Sequence, residues 1–579
     1  MGVPGFVAWL RSQCKDIMIC DALPKNPETL YIDGNCLIHP KCFEVLTYKG
    51  MNKTTNIDKL ENIMFNRICK FIDYLVDYVN PTKECYFAVD GVAPVAKINQ
   101  QRKRRYRSVD DALMKEKLKA KHKMEPDTKW SNTVITPGTT FMEKLHQHFQ
   151  KYFANKANTS KIKYTYSSYH TPGEGEHKIL RDIKKRLNDD GNNIYVIYGL
   201  DADLFFLAMA SQRKNIYLLR EEFNFVHGKV VKREITNIIE DVAEDLKFVS
   251  IDITKKCYEE IIGNILMQKT GHELTSDDYW NDFVFICYFL GNDFLPHLPT
   301  IDIHKSGLDT IMDGYTDIVI RLNCQLLVVK QGQISINNIF LLELLKYLSD
   351  KEDLYFKEIL PEHNHKKYKR KCPPTADEYS KELWTIENMR FKVNDPIALG
   401  SGNKNEWKFR YYEHYFGISE YQQEHIDLLS YSYLEGLLWV TKYYYHECPS
   451  WMWQYAFTHA PFISDIYDYL KNSKLDINKI TFSLSKPLQP CVQLLTVLPP
   501  SCVDIMPKKY SKIVTDSNSP VIDMFPTKVE LDMIGKDMYW MCVPILPYLD
   551  IDRILDVVKK IKLSQDDAIK NKECNDFVY

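Results

Sequence analysis

The residues of this chain most able to do chemistry are acids placed where a chain turns. Asp33 ends the apolar run TLYID, and Asp90 ends another, CYFAVD. Two close pairs follow, Glu174 with Glu176 in TPGEGEHKI and Asp201 with Asp203 in YGLDADL, and Asp293 stands in GNDFLP. Hydrolysis of a phosphodiester by two metal ions needs hard oxygen ligands around ions about 4 Å apart, one activating water and the other stabilising the leaving oxygen. Paired carboxylates in turns can aim at one point. Each pair alone also reads as ordinary helix capping, because helix N-termini favour acids. The joint placement of all seven around one predicted sheet edge is what suggests a site.

A possible phosphate grip lies beside Asp90. The stretch Ala88–Arg107, AVDGVAPVAKINQQRKRRYR, passes from an apolar run through Asp90 and Gly91 into a very basic predicted helix. At 100° per residue, Lys97, Gln101, Arg104 and Arg105 fall within an arc of about 100°. That face offers an ammonium, an amide and two guanidinium forks, enough to hold a terminal phosphate. Arg102, Lys103 and Arg107 point elsewhere, toward solvent or a phosphodiester backbone. Between Lys97 and Lys123 there are 11 basic residues against 3 acidic ones, a local patch that charge alone equally describes as a solvated helix face.

These groups need a scaffold, and the pattern predicts one. Thr29–Asp33 reads as a strand, Ile57–Tyr78 as a helix ended by Pro81, and Cys85–Val89 as a second strand. Thr140–Ala154 is helical, Lys161–Tyr169 a strand, the segment after Thr171 a turn opening a helix, and Ile194–Tyr198 a strand. Asp282–Leu290 is an apolar helix leading into Asp293. Strands alternating with helices predict an α/β fold with a mostly parallel central sheet flanked by helices. Ligands of such sheets bind beyond the carboxyl ends of the strands, where these acids lie. A short amphipathic helix is expected over Val3–Cys14.

With 579 residues the chain exceeds a single core,. The spacing predicts a first region over 1–345, a polar connecting segment over 346–405 that is partly mobile, and an aromatic-rich, mixed α/β second region over 406–579. The basic cluster Lys366–Lys371 reads as a solvated loop rather than a nuclear address. A formal net charge of −2 means that no global field draws the protein to nucleic acid, so any such binding is local,. The 15 cysteines form no CxxC pair, which suggests reduced thiols in an intracellular protein,. No apolar run long enough to span a membrane and no signal-peptide layout is present. His39, Trp451 and Trp453 each read first as core residues; their functional reading is stacking on bases.

Taken together, MGVP, Asp33-Gly34-Asn35 through His39, AVDGVAPVAKINQQRKRRYR, TPGEGEHKI, YGLDADL, FLGNDFLPHLP, PSWMW, QLLTVLPP and SPVIDMFP resemble the XRN family of 5′-to-3′ exoribonucleases. The matching stretches run from residue 1 to about residue 530, in the family's order. The resemblance implies a PIN/flap-nuclease-like core completed by the second region. It implies processive hydrolysis of RNA bearing a 5′ monophosphate to nucleoside 5′-monophosphates, in RNA and mRNA decay. Asp33, Asp90, Glu174, Glu176, Asp201, Asp203 and Asp293 match the family's catalytic metal cluster, implying two Mg²⁺ ions with Mn²⁺ as a substitute. Lys97, Gln101, Arg104 and Arg105 match its 5′-phosphate pocket. His39 matches the histidine that stacks on the terminal base, opposite a tryptophan that is either Trp451 or Trp453.

A single-stranded RNA partner, decapping factors as candidate protein partners, a monomer, no membrane, and a cytoplasmic location with the nucleus as alternative complete the expectation. Two departures stand out. The family's aromatic–Pro–aromatic–His order is replaced here by Gln454-Tyr455-Ala456-Phe457-Thr458-His459. The long extensions of the cytoplasmic members have no counterpart before Tyr579, as in a minimal or truncated member. The rival readings are a flap-type DNA nuclease and an inactive RNA-binding scaffold.

Overall fold

A computed structural model describes residues 9, 11, 17–48, 51, 56–125, 130–186, 191–221, 235–272, 278–305, 307–330, 332–367, 371–418 and 422–579. The stretch MGVP, nearly all of the helix expected over Val3–Cys14 and residues 368–370 of the cluster Lys366–Lys371 lie outside the described residues.

Eight strands make one sheet: β1 (Ile19–Cys20), β2 (Thr29–Asp33), β3 (Glu84–Ala88), β4 (Lys163–Ser167), β5 (Tyr195–Tyr198), β6 (Ile216–Glu221), β7 (Leu246–Ser250) and β8 (Phe577–Val578). Their order is β1-β7-β6-β5-β2-β3-β4-β8. The five inner strands, β6 through β4, are all parallel, with β2 opposite β3 from Thr29–Glu84 to Asp33–Ala88. Strands β7, β1 and β8 add to the edges antiparallel.

Both faces of the sheet are covered, as a parallel sheet requires. Side chains alternate between two cores. Leu30, Ile32, Cys85, Phe87, Val196 and Tyr198 pack on one side, under α1 (Gly34–Thr47), α2 (Ile57–Val79) and α4 (Thr140–Ala157). Tyr31, Tyr86, Tyr195 and Ile197 pack on the other,. That second core continues through α5 (Gly175–Lys185), α6 (Asp203–Ala210), α7 (Ile251–Thr270) and α8 (Tyr279–Ile286) into α9 (Gly307–Leu322), α10 (Asn338–Ser349), α12 (Gln423–Tyr445) and α13 (Ile463–Ser473). The basic stretch is α3 (Val95–Lys121), 27 residues long and starting just after Pro94, whose ring suits a helix entrance,.

From residue 251 onward the chain is mainly helical, and among the described residues of 406–579 strand is limited to β8 and a ribbon pairing Leu531–Asp532 with Val543–Pro544. Over 346–405 the chain carries helical segments, and Tyr355, Phe356 and Ile397 are buried with Trp407 of α11 (Lys404–Phe416). Helix α14 (Pro490–Val497) packs on α3. Among the described residues, no helix is long and apolar enough to cross a membrane.

A candidate active site at the carboxyl edge of the sheet

The parallel strands deliver their C-terminal ends to one edge, and the acids stand there. Asp33 is the last residue of β2 and caps α1, accepting from the Asn35 N–H at 3.2 Å while the Cys36 thiol donates to its other oxygen at 2.9 Å. Asn35 ties β2 to β3: its amide donates to Asp90 Oδ2 at 2.7 Å, and its Oδ1 accepts from the Asp90 N–H at 3.2 Å. The second Asp90 oxygen accepts from the Gly175 N–H at 2.7 Å, which brings the start of α5 against the strand ends. Only glycine fits at 175, because a Cβ would stand 2.9 Å from Asp33 Oδ1 and 3.0 Å from the Ala88 carbonyl. Glu174 and Glu176 flank it. Lys178, one turn on, donates to the Val89 and Ser168 carbonyls at 2.8 Å each.

Asp203 opens α6 and is buried, whereas Asp201 is exposed. Asp293 arrives from the turn after the 3₁₀ segment Cys287–Leu290. Between Glu174 and Asp293 sits the Lys97 ammonium, 2.5 Å from a carboxylate oxygen of each. Gln100 donates to the other Asp293 oxygen at 3.1 Å, and Tyr443 from α12 donates to Glu174 at 3.1 Å.

The electrostatics follow from crowding. Burial and the neighbouring Asp90 push Asp33 up to about 7, and burial with Asp293 nearby does the same to Asp203,. Burial and the Glu174 charge drive Glu176 well above the usual carboxylate range. Burial would raise Asp293 as well, but Lys97 overrides it and holds that carboxyl low. Among the described residues, no three acid, histidine or cysteine side chains already surround one point as a ligand set. The donor set is nonetheless all hard oxygen, crowded enough that like charges oppose ionisation and cations would relieve it. That chemistry fits Mg²⁺.

The basic face divides differently from its helical wheel. Lys97 is in the acid cluster itself. Gln101 accepts from the Gln493 amide at 3.3 Å, and Arg105 donates to the Ile135 carbonyl at 2.9 Å. Arg104 is exposed. His39, half-buried, lies close enough to Arg105 and Arg104 that burial and those charges hold its imidazole down at about 3. Two residues expected to meet solvent or RNA do neither. Arg102 is buried and donates to the Pro547 and Met524 carbonyls; Arg107 donates to the Cys542 and Tyr539 carbonyls at 2.9 and 2.6 Å. Fixed carbonyls of the second region compete successfully with water for these forks.

The tryptophans are also distinct. Trp453 stacks on Trp439, with centroids 5.0 Å apart, and donates to Glu435 at 2.8 Å. The Trp451 ring has no stacking partner among the described residues, and its carbonyl accepts from the Val95 N–H at 2.8 Å. The displaced His459 stacks on Tyr415 at 3.6 Å and bonds Asp532 at 3.2 Å. Sequence reasoning passed over Asn35, Gln100, Lys178 and Tyr443. Asn35 was legible as the polar residue directly after the Asp33-Gly34 turn; Tyr443 gave no signal beyond a run of tyrosines.

Comparison with known proteins agrees with this architecture. A family model described as XRN 5′-3′ exonuclease N-terminus matches residues 1–222, and one described as Xrn1 helical domain matches 274–383 and 361–579. The chain is 29% identical to human 5′-3′ exoribonuclease 1 over 96% of its own length and 34% of that protein's. It is 28% identical to the 5′-3′ exoribonuclease 2 homolog of Drosophila melanogaster, covering 100% of this chain and 73% of the relative. With 5′-3′ exoribonuclease 1 of Saccharomyces cerevisiae it shares 28% identity over 100% of this chain and 44% of the relative. The chain therefore spans from about a third to about three quarters of these relatives.

Proposed function

Because the chain belongs to the family of XRN 5′-3′ exonucleases, we propose that it is a processive, Mg²⁺-dependent 5′-to-3′ exoribonuclease acting on RNA with a 5′ monophosphate and releasing nucleoside 5′-monophosphates. The observation that carries the proposal is the gathering of buried acids at the carboxyl edge of the sheet against the first turns of α3. Asp33, Asp90, Glu174, Glu176, Asp201, Asp203 and Asp293 would hold two Mg²⁺ ions, whose chemistry is to activate water and take up charge on the leaving oxygen.

The protein's own groups set direction and step. Arg104 and Arg105, with the Gln101 amide, receive the terminal phosphate. Lys97 is paired with Glu174 and Asp293; with those acids committed to cations, its ammonium would be available to the phosphate. A 5′ hydroxyl brings no charge to this grip, and a cap or triphosphate is too bulky for it. His39, neutral because of its surroundings, stacks on the terminal base from one side. Trp451 is the opposing platform, since Trp453 is already committed to Trp439 and Glu435. Each cleavage leaves a new 5′ phosphate to move into the same grip. In the cell the enzyme works as a monomer in RNA decay after decapping, in the cytoplasm.

Rates on the same RNA with a 5′ monophosphate, hydroxyl, triphosphate or cap, with Mg²⁺ and with chelator, test this. Decay of the monophosphate form alone, abolished by chelator, is expected. Equal rates on all four ends sink the mechanism, and faster cleavage of DNA flaps than of RNA ends moves the chain to the flap-nuclease reading.

A further inference from the structure

A cavity of about 1140 Å³ opens on the next face of α3, between that helix and the second region. It adjoins both the acid cluster and the proposed phosphate grip: Asp293, Gln100 and Arg104 form part of its wall. Its other walls include Tyr415, Phe457, His459 and Trp540, the last 51% exposed at the rim. Aromatic faces of this kind accept any base.

Three polar groups lining it lack a protein partner among the described residues. Lys103 makes no ion pair or hydrogen bond. Burial, with Arg102 and Lys536 nearby, holds its ammonium down at about 8,. Gln100 Oε1 and Asn292 Nδ2 are buried and unbonded, one an acceptor and one a donor. Buried polar groups are ordinarily satisfied, so unbonded ones lining a cavity point to an occupant. The size exceeds what one small ligand fills, leaving room for a nucleotide and its water.

We propose that this cavity is a second nucleotide site, which receives the nucleoside 5′-monophosphate leaving the acid cluster, its phosphate on Lys103 and its base against the aromatic rim at Trp540. The source of that nucleotide rests on the activity proposed above. Asp293, a member of the acid cluster and of the cavity wall, sets the two sites side by side.

Equilibrium dialysis of labelled AMP against the whole chain in Mg²⁺ buffer tests the site. Two AMP molecules bound per wild-type chain are expected, and one in Lys103→Met and in Trp540→Ala, with RNA decay within about twofold of wild type. Adenosine, lacking the phosphate, is expected to bind this site about tenfold more weakly. A single AMP per wild-type chain, or a stoichiometry that neither substitution changes, overturns the proposal. So does a loss of RNA binding in Lys103→Met with AMP binding unchanged, because the cavity would then be a path for the strand. AMP binding is read without turnover. A chain that binds AMP through Lys103 yet degrades no RNA removes only the proposed activity, and one that degrades RNA without that binding removes only this site.

Discussion

The two faces of α3 carry the same residue types and do opposite work. Toward the sheet edge, Lys97 meets carboxylates and Arg104 stays exposed. Toward the second region, Arg102 and Arg107 are buried on main-chain carbonyls. A guanidinium held by two main-chain carbonyls, as in Arg102 and Arg107, is a structural pin, whereas one left in a cleft is free for a ligand. A basic run in sequence therefore counts neither contacts with RNA nor contributions to stability until each fork is traced to its acceptor.

Substitutions can break or sharpen that contrast. The acid side should fail most severely. Asp203→Ala is expected to lower single-turnover cleavage by about three orders of magnitude, in line with removal of a metal-organising charge. RNA binding, read by filter retention, should stay near wild type. On the pinned face, Arg102→Met strips buried carbonyls of a charged donor and should cost about 3 kcal/mol in denaturant unfolding. The same change at exposed Arg104 should stay within about 0.5 kcal/mol.

The tryptophans repeat the contrast at smaller scale. Trp451→Ala should weaken retention of the terminal base by about 2 kcal/mol with unfolding unchanged. Trp453→Ala should reverse the pattern and lower stability, through loss of the Trp439 stack. Arg104→Ala should cut the preference for monophosphate over hydroxyl ends about tenfold.

His39 gives the smallest effect. Its imidazole, held at about 3 against an ordinary value near 6.5, stays neutral in the folded chain through the physiological range,. The unfolded chain gains its proton near pH 6.5 and the folded chain only near 3, so the associated stability is lost as pH falls between them. The pH profile of kcat/KM should accordingly lack a step near 6.5 that His39→Phe removes.

Much of this was readable from residues alone. The ends of β2, β3 and β5 and the start of α5 follow from apolar runs closed by acids, because a buried parallel strand is apolar throughout and only its end can carry charge. Strands β6 and β7 left no comparable mark, since neither ends on an acid of the site. The pairing of Lys97 with Glu174 and Asp293 was not legible either. A helical wheel fixes which way a side chain leaves its helix, but not which of two neighbouring charges captures it. The same limit hid the carbonyls that hold Arg102 and Arg107, for they come from residues more than 400 positions away.

One bond joins the two halves of the site where no side chain takes part. The Val95 N–H, left over at the entrance of α3, is satisfied by the carbonyl of Trp451,. The spacing between the end-gripping helix and the stacking surface is thus written in main chain, like a gauge machined into the frame rather than fitted to it. Exchanging side chains one by one would leave it untouched, and evolution can vary residues on either side without losing the calibration. Proline at 95 alone would erase it, since that residue suits the first turn of a helix while offering no N–H.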